Sequence, residues 1–255
     1  VDDYEVKSND NIYDIVKKIR GEAGTKVKLK VLHKGELNAV DIEITRGEIT
    51  VPSMTLSFIE NNSIAVIDVA RFTDSSYIEW THNWDKVVND VVNSNAKKVI
   101  IDLRGNPGGY FDAAVYSAGE FLKEGTLIAK QEDGNKKVEE FKARNGGKLI
   151  NTEVLILVDE GSASASEIFS GALQQNDRAK IIGVKTYGKG TAQSVIDLNG
   201  GASLHVTILK WLLPNGNWLN RDNPVVPDIE VENTTDDFIK GLDRQMEEAI
   251  KELKN

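Results

Sequence analysis

The sequence predicts an α/β fold, and three observations predict it. From Ser63 onward, short aliphatic runs alternate with stretches whose apolar residues recur at helical spacing, the pattern of an α/β core. One run, Lys98-Val99-Ile100-Ile101-Asp102-Leu103, is nearly continuous in apolar residues, as a strand covered on both faces must be. The segments after three of these runs are rich in Gly, Ser, Asn and Pro, the residues of tight strand-to-helix turns. At 255 residues the chain has the length of about one and a half to two average domains.

The elements follow in order. Ile12, Ile15, Val16 and Ile19 sit on one helical face, so Asn11 to Arg20 reads as a short helix with Asp10 as its cap and Gly21 as its stop. Lys26 to Leu32 and Val40 to Ile44 alternate at period two, giving two strands of a hairpin turned at Gly35. The lysines of the first strand fall on alternate positions and read as a solvated face. Pro52 marks a boundary. Strand Ile64–Val69, helix Tyr77–Asn93 and strand Lys98–Leu103 come next, then the turn Arg104 to Gly109 and a helix through Ala113, Ala114, Val115, Ala118 and Phe121. Residues 131–148 are polar, with three glycines, and read as a surface hairpin or excursion. Strand Val154–Val158 runs through a serine-rich turn into a helix around Ile168 to Gln175. Strand Lys180–Val184 meets Thr186 to Gly190, and extended segments Gln193–Leu198 and Ser203–Trp211 close the core. From Thr234, Phe238, Leu242, Met246, Ala249, Ile250 and Leu253 outline one amphipathic terminal helix, expected to dock on the core.

Composition excludes several function classes. With 40% hydrophobic and 28% charged residues the chain is globular in type. No stretch approaches the roughly 20 apolar residues that span a bilayer. Val1-Asp2-Asp3-Tyr4 is acidic where a secretory leader is basic. A net charge of -9 repels a phosphate backbone, which argues against nucleic acid as a partner. Zero cysteines exclude disulfides, thiol catalysis and cysteine-held metals. The three histidines, His33, His82 and His205, are scattered and suggest no metal site.

Gly183 to Lys189 fits the G-x-x-x-x-G-K phosphate-loop pattern. The next residue is Gly190 rather than Ser or Thr, and the segment after it is β-branched. A phosphate loop has to open a helix, whose N-terminus supplies amides and dipole, so nucleotide binding is set aside. Serine chemistry is the stronger candidate. Residues 161–166 place Ser162, Ser164 and Ser166 between a buried-type strand and a helix, where a hydroxyl and the following amide meet the positive helix end. The residues alone leave open which serine is the nucleophile and which merely caps the helix. Lys189, between two glycines, is a candidate base, because an amine in a dry pocket can be uncharged. Gly108 and Gly109 allow the backbone to aim amides at a developing oxyanion.

Taken together these segments are specific. Asp102-Leu103-Arg104-Gly105-Asn106-Pro107-Gly108-Gly109, Gly161 to Ile168, Tyr187 to Gln193 and Pro227-Asp228-Ile229 occur in order, with Lys189 25 residues after Ser164 and Gln193 four after that. From about residue 53 on, the chain resembles the carboxyl-terminal processing, or tail-specific, serine proteases. Residues 1–52 resemble the second half of a PDZ domain. The resemblance implies a crotonase- and Clp-protease-like mixed core over 53–233, a partial PDZ domain before it, and a C-terminal amphipathic helix over 234–255. It implies an endopeptidase that acts near the C-termini of unstructured protein or peptide substrates. Ser164 would be the nucleophile, Lys189 the base and Gln193 the residue orienting the amine. Ala165 with Gly108 or Gly109 would form the oxyanion hole. No metal or cofactor is implied; export is the family's habit, and a homo-oligomer is one partner the reading leaves open. Two rival readings share the architecture: a non-catalytic carrier of a small apolar molecule, and a crotonase-type acyl-CoA enzyme. Neither has a use for the serine–lysine spacing.

Overall fold

The structure is a computed structural model that describes residues 1–32, 38–48, 51–144 and 146–254. Contacts divide the chain into two compact units, Val1–Val51 and Pro52–Asn255.

The first unit holds helix α1 (Ile12–Ile19) and strands β1 (Lys26–Val31) and β2 (Val40–Thr45). The strands pair antiparallel from Lys26↔Thr45 to Val31↔Val40. The turn expected at Gly35 lies outside the described residues. Asn11, not Asp10, caps α1, its side chain accepting from Tyr13 N. Asp10 is occupied one turn earlier, where it accepts from Lys7 N at 2.7 Å and from the Tyr4 hydroxyl at 3.0 Å. Arg46 ties the unit together by donating to the carbonyls of Ile19 and Lys26. Val27 is the one buried residue among those described here.

The second unit is built on a six-stranded sheet in the order β12-β9-β8-β5-β4-β3. Its strands are β3 (Met54–Ile59), β4 (Ile64–Val69), β5 (Lys98–Asp102), β8 (Glu153–Val158), β9 (Lys180–Gly183) and β12 (Ile229–Glu230). All pairs are parallel except β3 with β4. The antiparallel edge strand β3 carries a period-two signal, Met54, Leu56 and Phe58, beside the proline boundary. On one face, helices α2 (Tyr77–Asn93), α3 (Phe111–Gly119) and α4 (Ala165–Gln175) bury an aromatic core. Phe72, Trp80, Trp84, Phe121 and Phe169 form its centre, with Trp80 and Trp84 stacked at 5.8 Å. On the other face, Ala249 and Leu253 pack on Ile64, Val66, Ile100, Leu155, Leu157 and Ile182. Two covered faces explain why β5 is so continuously apolar.

The expected single terminal helix is two, α5 (Thr235–Lys240) and α6 (Arg244–Lys254). Gly241 at φ 66° takes the left-handed conformation that ends α5. Only α6 reaches the sheet; Phe238 and Ile239 of α5 stay exposed.

A second sheet, antiparallel throughout, has the order β10-β11-β6-β7. It comprises β6 (Leu127–Asp133), β7 (Val138–Lys142), β10 (Thr191–Asp197) and β11 (Ser203–Leu212). Residues 131–142 of the polar stretch thus lie in the outer hairpin of this sheet, formed by β6 and β7.

Candidate functional site

The three glycine- and serine-rich turns leave the carboxyl ends of β5, β8 and β9, where open parallel sheets place their sites. Asp159 joins two of them. Its Oδ1 accepts from Gly161 N at 2.9 Å and Ser162 N at 3.1 Å in its own turn, and from Gly105 N at 2.8 Å in the other.

The serines of the β8–α4 turn separate by their bonds. Ser162 donates its hydroxyl proton to Leu103 O at 2.7 Å, and Ser166 donates to Asn106 O at 3.0 Å. Both side chains are fully buried. Among the described residues the Ser164 hydroxyl donates to no acceptor. Ser164 is 5% exposed and sits at φ 58°, ψ -115°, a backbone state that a non-glycine residue holds only when its surroundings enforce it. It immediately precedes α4, whose first amide, Ala165 N, has no acceptor among the described residues, as expected at a helix N-terminus.

The Arg104–Gly109 turn packs against this elbow. Asn106, fully buried, donates through Nδ2 to Val69 O and accepts at Oδ1 from Gly108 N at 2.8 Å. Its carbonyl receives Ala163 N at 3.0 Å. A Cβ on Gly108 would lie 2.8 Å from Ser164 Cβ and from Ala165 N, so only glycine lets the two turns meet. Phe72 N donates to Gly108 O, and Tyr110 N donates to Phe72 O, each at 2.9 Å. This bridge turns the Gly109 N–H away from Phe72. Of the two glycine amides, Gly108's is occupied by Asn106, and Gly109's has no acceptor among the described residues.

Arg104 holds the base of this turn. Its guanidinium binds Asp102 and, at 2.7 and 2.8 Å, both oxygens of Asp243 just before α6. Beyond it lies a cleft of about 870 Å³ lined by Asp68, Asp102, Asp159, Asp243 and neighbours; Ser164 is not among its walls.

Glu167, absent from the sequence expectations, is fully buried and ties the serine turn to the lysine turn. Oε2 accepts from Ser164 N at 2.8 Å and Lys189 N at 2.9 Å; Oε1 accepts from Thr186 Oγ1 at 2.5 Å and Gly188 N at 2.7 Å. A buried carboxylate needs such partners, and here they come from both turns. The signal was present in sequence: Ser164-x-x-Glu167 is a capping-box spacing.

The structure brings together the backbones of Ser164, Ala165, Gly108 and Lys189. It does not join the side chains of the three residues assigned to the chemistry. Lys189 and Gln193 are exposed, and among the described residues no hydrogen bond links Lys189 Nζ to Ser164 Oγ or Gln193 to Lys189. The dry pocket expected around Lys189 is therefore not formed in this structure. The turn glycines pack inward, Gly188 against Asn220 and Gly190 against Leu219, and this leaves the lysine on the outside.

The description "Peptidase family S41" matches residues 63–231. The carboxy-terminal processing protease CtpA of Bacillus subtilis is 33% identical over 222 residues, 87% of this chain and 46% of that protein. A Staphylococcus saprophyticus protein described as "Probable CtpA-like serine protease" is 36% identical over 220 residues, 86% of this chain and 43% of its own. The chain spans less than half the length of either relative. Among solved structures, a photosystem II D1 C-terminal processing protease superposes with a TM-score of 0.67 at 25% identity. That match covers 86% of this chain and 59% of the other.

Proposed function

The chain belongs to peptidase family S41, and from that premise we propose that it is a serine endopeptidase cutting polypeptides near their C-termini. Ser164 Oγ attacks the scissile carbonyl carbon while neutral Lys189 Nζ takes its proton. The tetrahedral intermediate collapses, the C–N bond breaks, and the leaving amine receives the proton from Lys189. Water, deprotonated by Lys189 Nζ, then attacks the acyl carbon; the C–O bond to Ser164 breaks, and Ser164 Oγ takes the proton back from Lys189, restoring the free serine and the neutral amine. Gln193 orients the amine through a hydrogen bond. Ala165 N and Gly109 N hold the oxyanion; one lost donor of this kind costs about 2.7–4 kcal/mol of barrier.

The observation that carries this reading is the Ser164 elbow. Of three serines in the turn it alone, among the described residues, keeps a hydroxyl proton without an acceptor, at a helix N-terminus whose first amide has no acceptor among them either. Its backbone is tied through one carboxylate to the backbone of Lys189. The lysine side chain has only to swing on a fixed backbone. A polypeptide lying over the turn excludes water from the amine, the condition for an uncharged lysine. Supporting the partial PDZ reading of residues 1–52 are their resemblance and their helix with two antiparallel strands. The reading extends to export of the protein, by the same resemblance.

The test compares Ser164→Ala and Lys189→Ala with the parent on an unstructured peptide ending in apolar residues, alongside labelling by a fluorophosphonate. Loss of cleavage in both variants, and of labelling in Ser164→Ala, is expected. Full cleavage by either variant ends the dyad assignment.

A further inference from the structure

The ribbon made by β10 and the first part of β11 stands clear of its sheet. β6 pairs with β11 only over Leu209–Leu212, and β10 is the outermost strand. Residues 193–207 therefore form two strands without a third, an arrangement that is marginal in water. Its aliphatic side chains are not covered either. Ile196, Leu198, Leu204, Val206 and Ile208 are each 38–51% exposed. Ile196 lies opposite Leu204, and Ser194 opposite Val206, so one face of the ribbon is largely aliphatic.

The phase of the backbone bonds is set at the hairpin end, where Leu198 N donates to Ala202 O at 2.8 Å. In an antiparallel pair the inward- and outward-facing residues alternate. Ile196 and Ser194 thus turn their N–H and C=O toward β11. Gln193, Val195 and Asp197 turn theirs outward, along an edge that no strand of the described residues covers. Gln193 begins that edge, four residues beyond Lys189.

We propose that the β10 edge binds an extended polypeptide with aliphatic residues at alternate positions, as a third strand leading onto the Ser164–Lys189 turns. Binding needs only the edge; that the bound chain is then cut rests on the peptidase reading. The outward groups of Gln193, Val195 and Asp197 supply main-chain bonds at a two-residue repeat of about 6.8 Å. Alternate ligand side chains then fall on the aliphatic face and extend it. A second copy of this chain would use the same edge, but nothing would then connect the edge to the neighbouring lysine turn.

The test measures binding without turnover. A fluorescein-labelled peptide of alternating valine and threonine, flanked by lysines, is titrated into Ser164→Ala protein. Val195→Pro removes one outward N–H and, on an edge, spares the pairing with β11. It should weaken binding about tenfold, or ~1.4 kcal/mol, while Val195→Thr restores it. N-methylation of the peptide should weaken binding in one alternating phase and not in the other, a readout independent of any variant's folding. Equal binding by Val195→Pro, or phase-independent N-methyl effects, overturns the proposal. So does a parent dimer that Val195→Pro converts to monomer with peptide binding unchanged. Fluorophosphonate labelling of Ser164 in the parent is scored separately. Edge-dependent binding without labelling would reject the peptidase reading and keep the edge site; labelling without edge dependence would do the reverse.

Discussion

Ser164 and Lys189 donate their backbone amides to the same oxygen atom, Oε2 of Glu167, at 2.8 and 2.9 Å. The distance between the two turns is thus set by a carboxylate that touches neither reacting atom. In Glu167→Ala three backbone amides lose their acceptor inside the protein, and the Thr186 hydroxyl keeps only Val225 O at 3.4 Å. At about 1–3 kcal/mol for each buried group left unpaired, a loss of more than ~3 kcal/mol is expected by urea unfolding. Among molecules still folded, kcat/KM should fall by about 10²-fold or more, because the serine and the lysine are no longer held in register. Glu167→Gln keeps one acceptor oxygen and should fall between. Parental stability and activity in Glu167→Ala would show that the carboxylate holds nothing.

The glycine turn offers a paired comparison. Gly105 at φ 66° has nothing within 4 Å of its missing Cβ, so Gly105→Ala should cost only the left-handed strain, about 1–2 kcal/mol. Gly108 at φ 98° would drive a methyl to 2.7 Å from Ala163 O and 2.8 Å from Ser164 Cβ. Gly108→Ala should therefore abolish peptide cleavage and fluorophosphonate labelling, while Gly105→Ala keeps both. Equal behaviour of the two variants would detach Gly108 from the site.

The three serines should separate stability from chemistry. Removing the hydroxyl of Ser162 deprives the buried Leu103 carbonyl of its side-chain donor, and of Ser166 deprives Asn106 O of one of two. Each alanine variant should lose about 1–2 kcal/mol in urea unfolding. Ser164→Ala gives up no donated bond, only the hydroxyl oxygen that caps α4, and should unfold within about 1 kcal/mol of the parent while losing all labelling. A strongly destabilised Ser164→Ala would mean that the hydroxyl is structural.

How much of this was legible in the sequence depends on the range of each interaction. The parallel strands were readable because burial on both faces leaves an unbroken apolar run, as in β5. The turns were readable because glycine and serine mark them. Gly241 was equally local, yet a regular apolar spacing from Phe238 to Leu253 masked the break there, and Phe238 proved exposed. Asn11 displaced Asp10 as cap because Asp10 answers Tyr4 and Lys7, contacts that spacing alone does not rank. Glu167 was legible as a capping-box residue, but its bonds to Gly188 and Lys189 span more than twenty residues and depend on how β8 and β9 end side by side. The exposure of Lys189 was not legible at all, since flanking glycines suit a tight pocket and an outward turn alike.

The last prediction concerns acid. Asp243 is pulled two ways: partial burial pushes its carboxyl up, but hydrogen bonds from Arg104, Asn233 and Met246 N outweigh this and bring it down to about 2. An unfolded aspartate titrates near ~3.9. The folded state therefore holds the ionised form more tightly, and the stability this contributes is fully present above pH ~5. It is lost as pH falls through ~4 towards ~2, where the folded group also takes up its proton. The side chain is 41% exposed, so solvent screening reduces the contribution to about 1–2 kcal/mol. The gap in unfolding free energy between the parent and Asp243→Asn should be constant from pH 5 to 8 and narrow steadily below pH 4. Because Arg104 bridges Asp243 to Asp102 at the foot of the glycine turn, acid should loosen α6 and that turn together. Hydrogen exchange at pH 3 should show protection falling in residues 104–109 and 244–254 of the parent. Parallel stability curves across the whole range would mean that Asp243 contributes no ionised-state stability and that Arg104 is held by Asp102 and Gln245 without it.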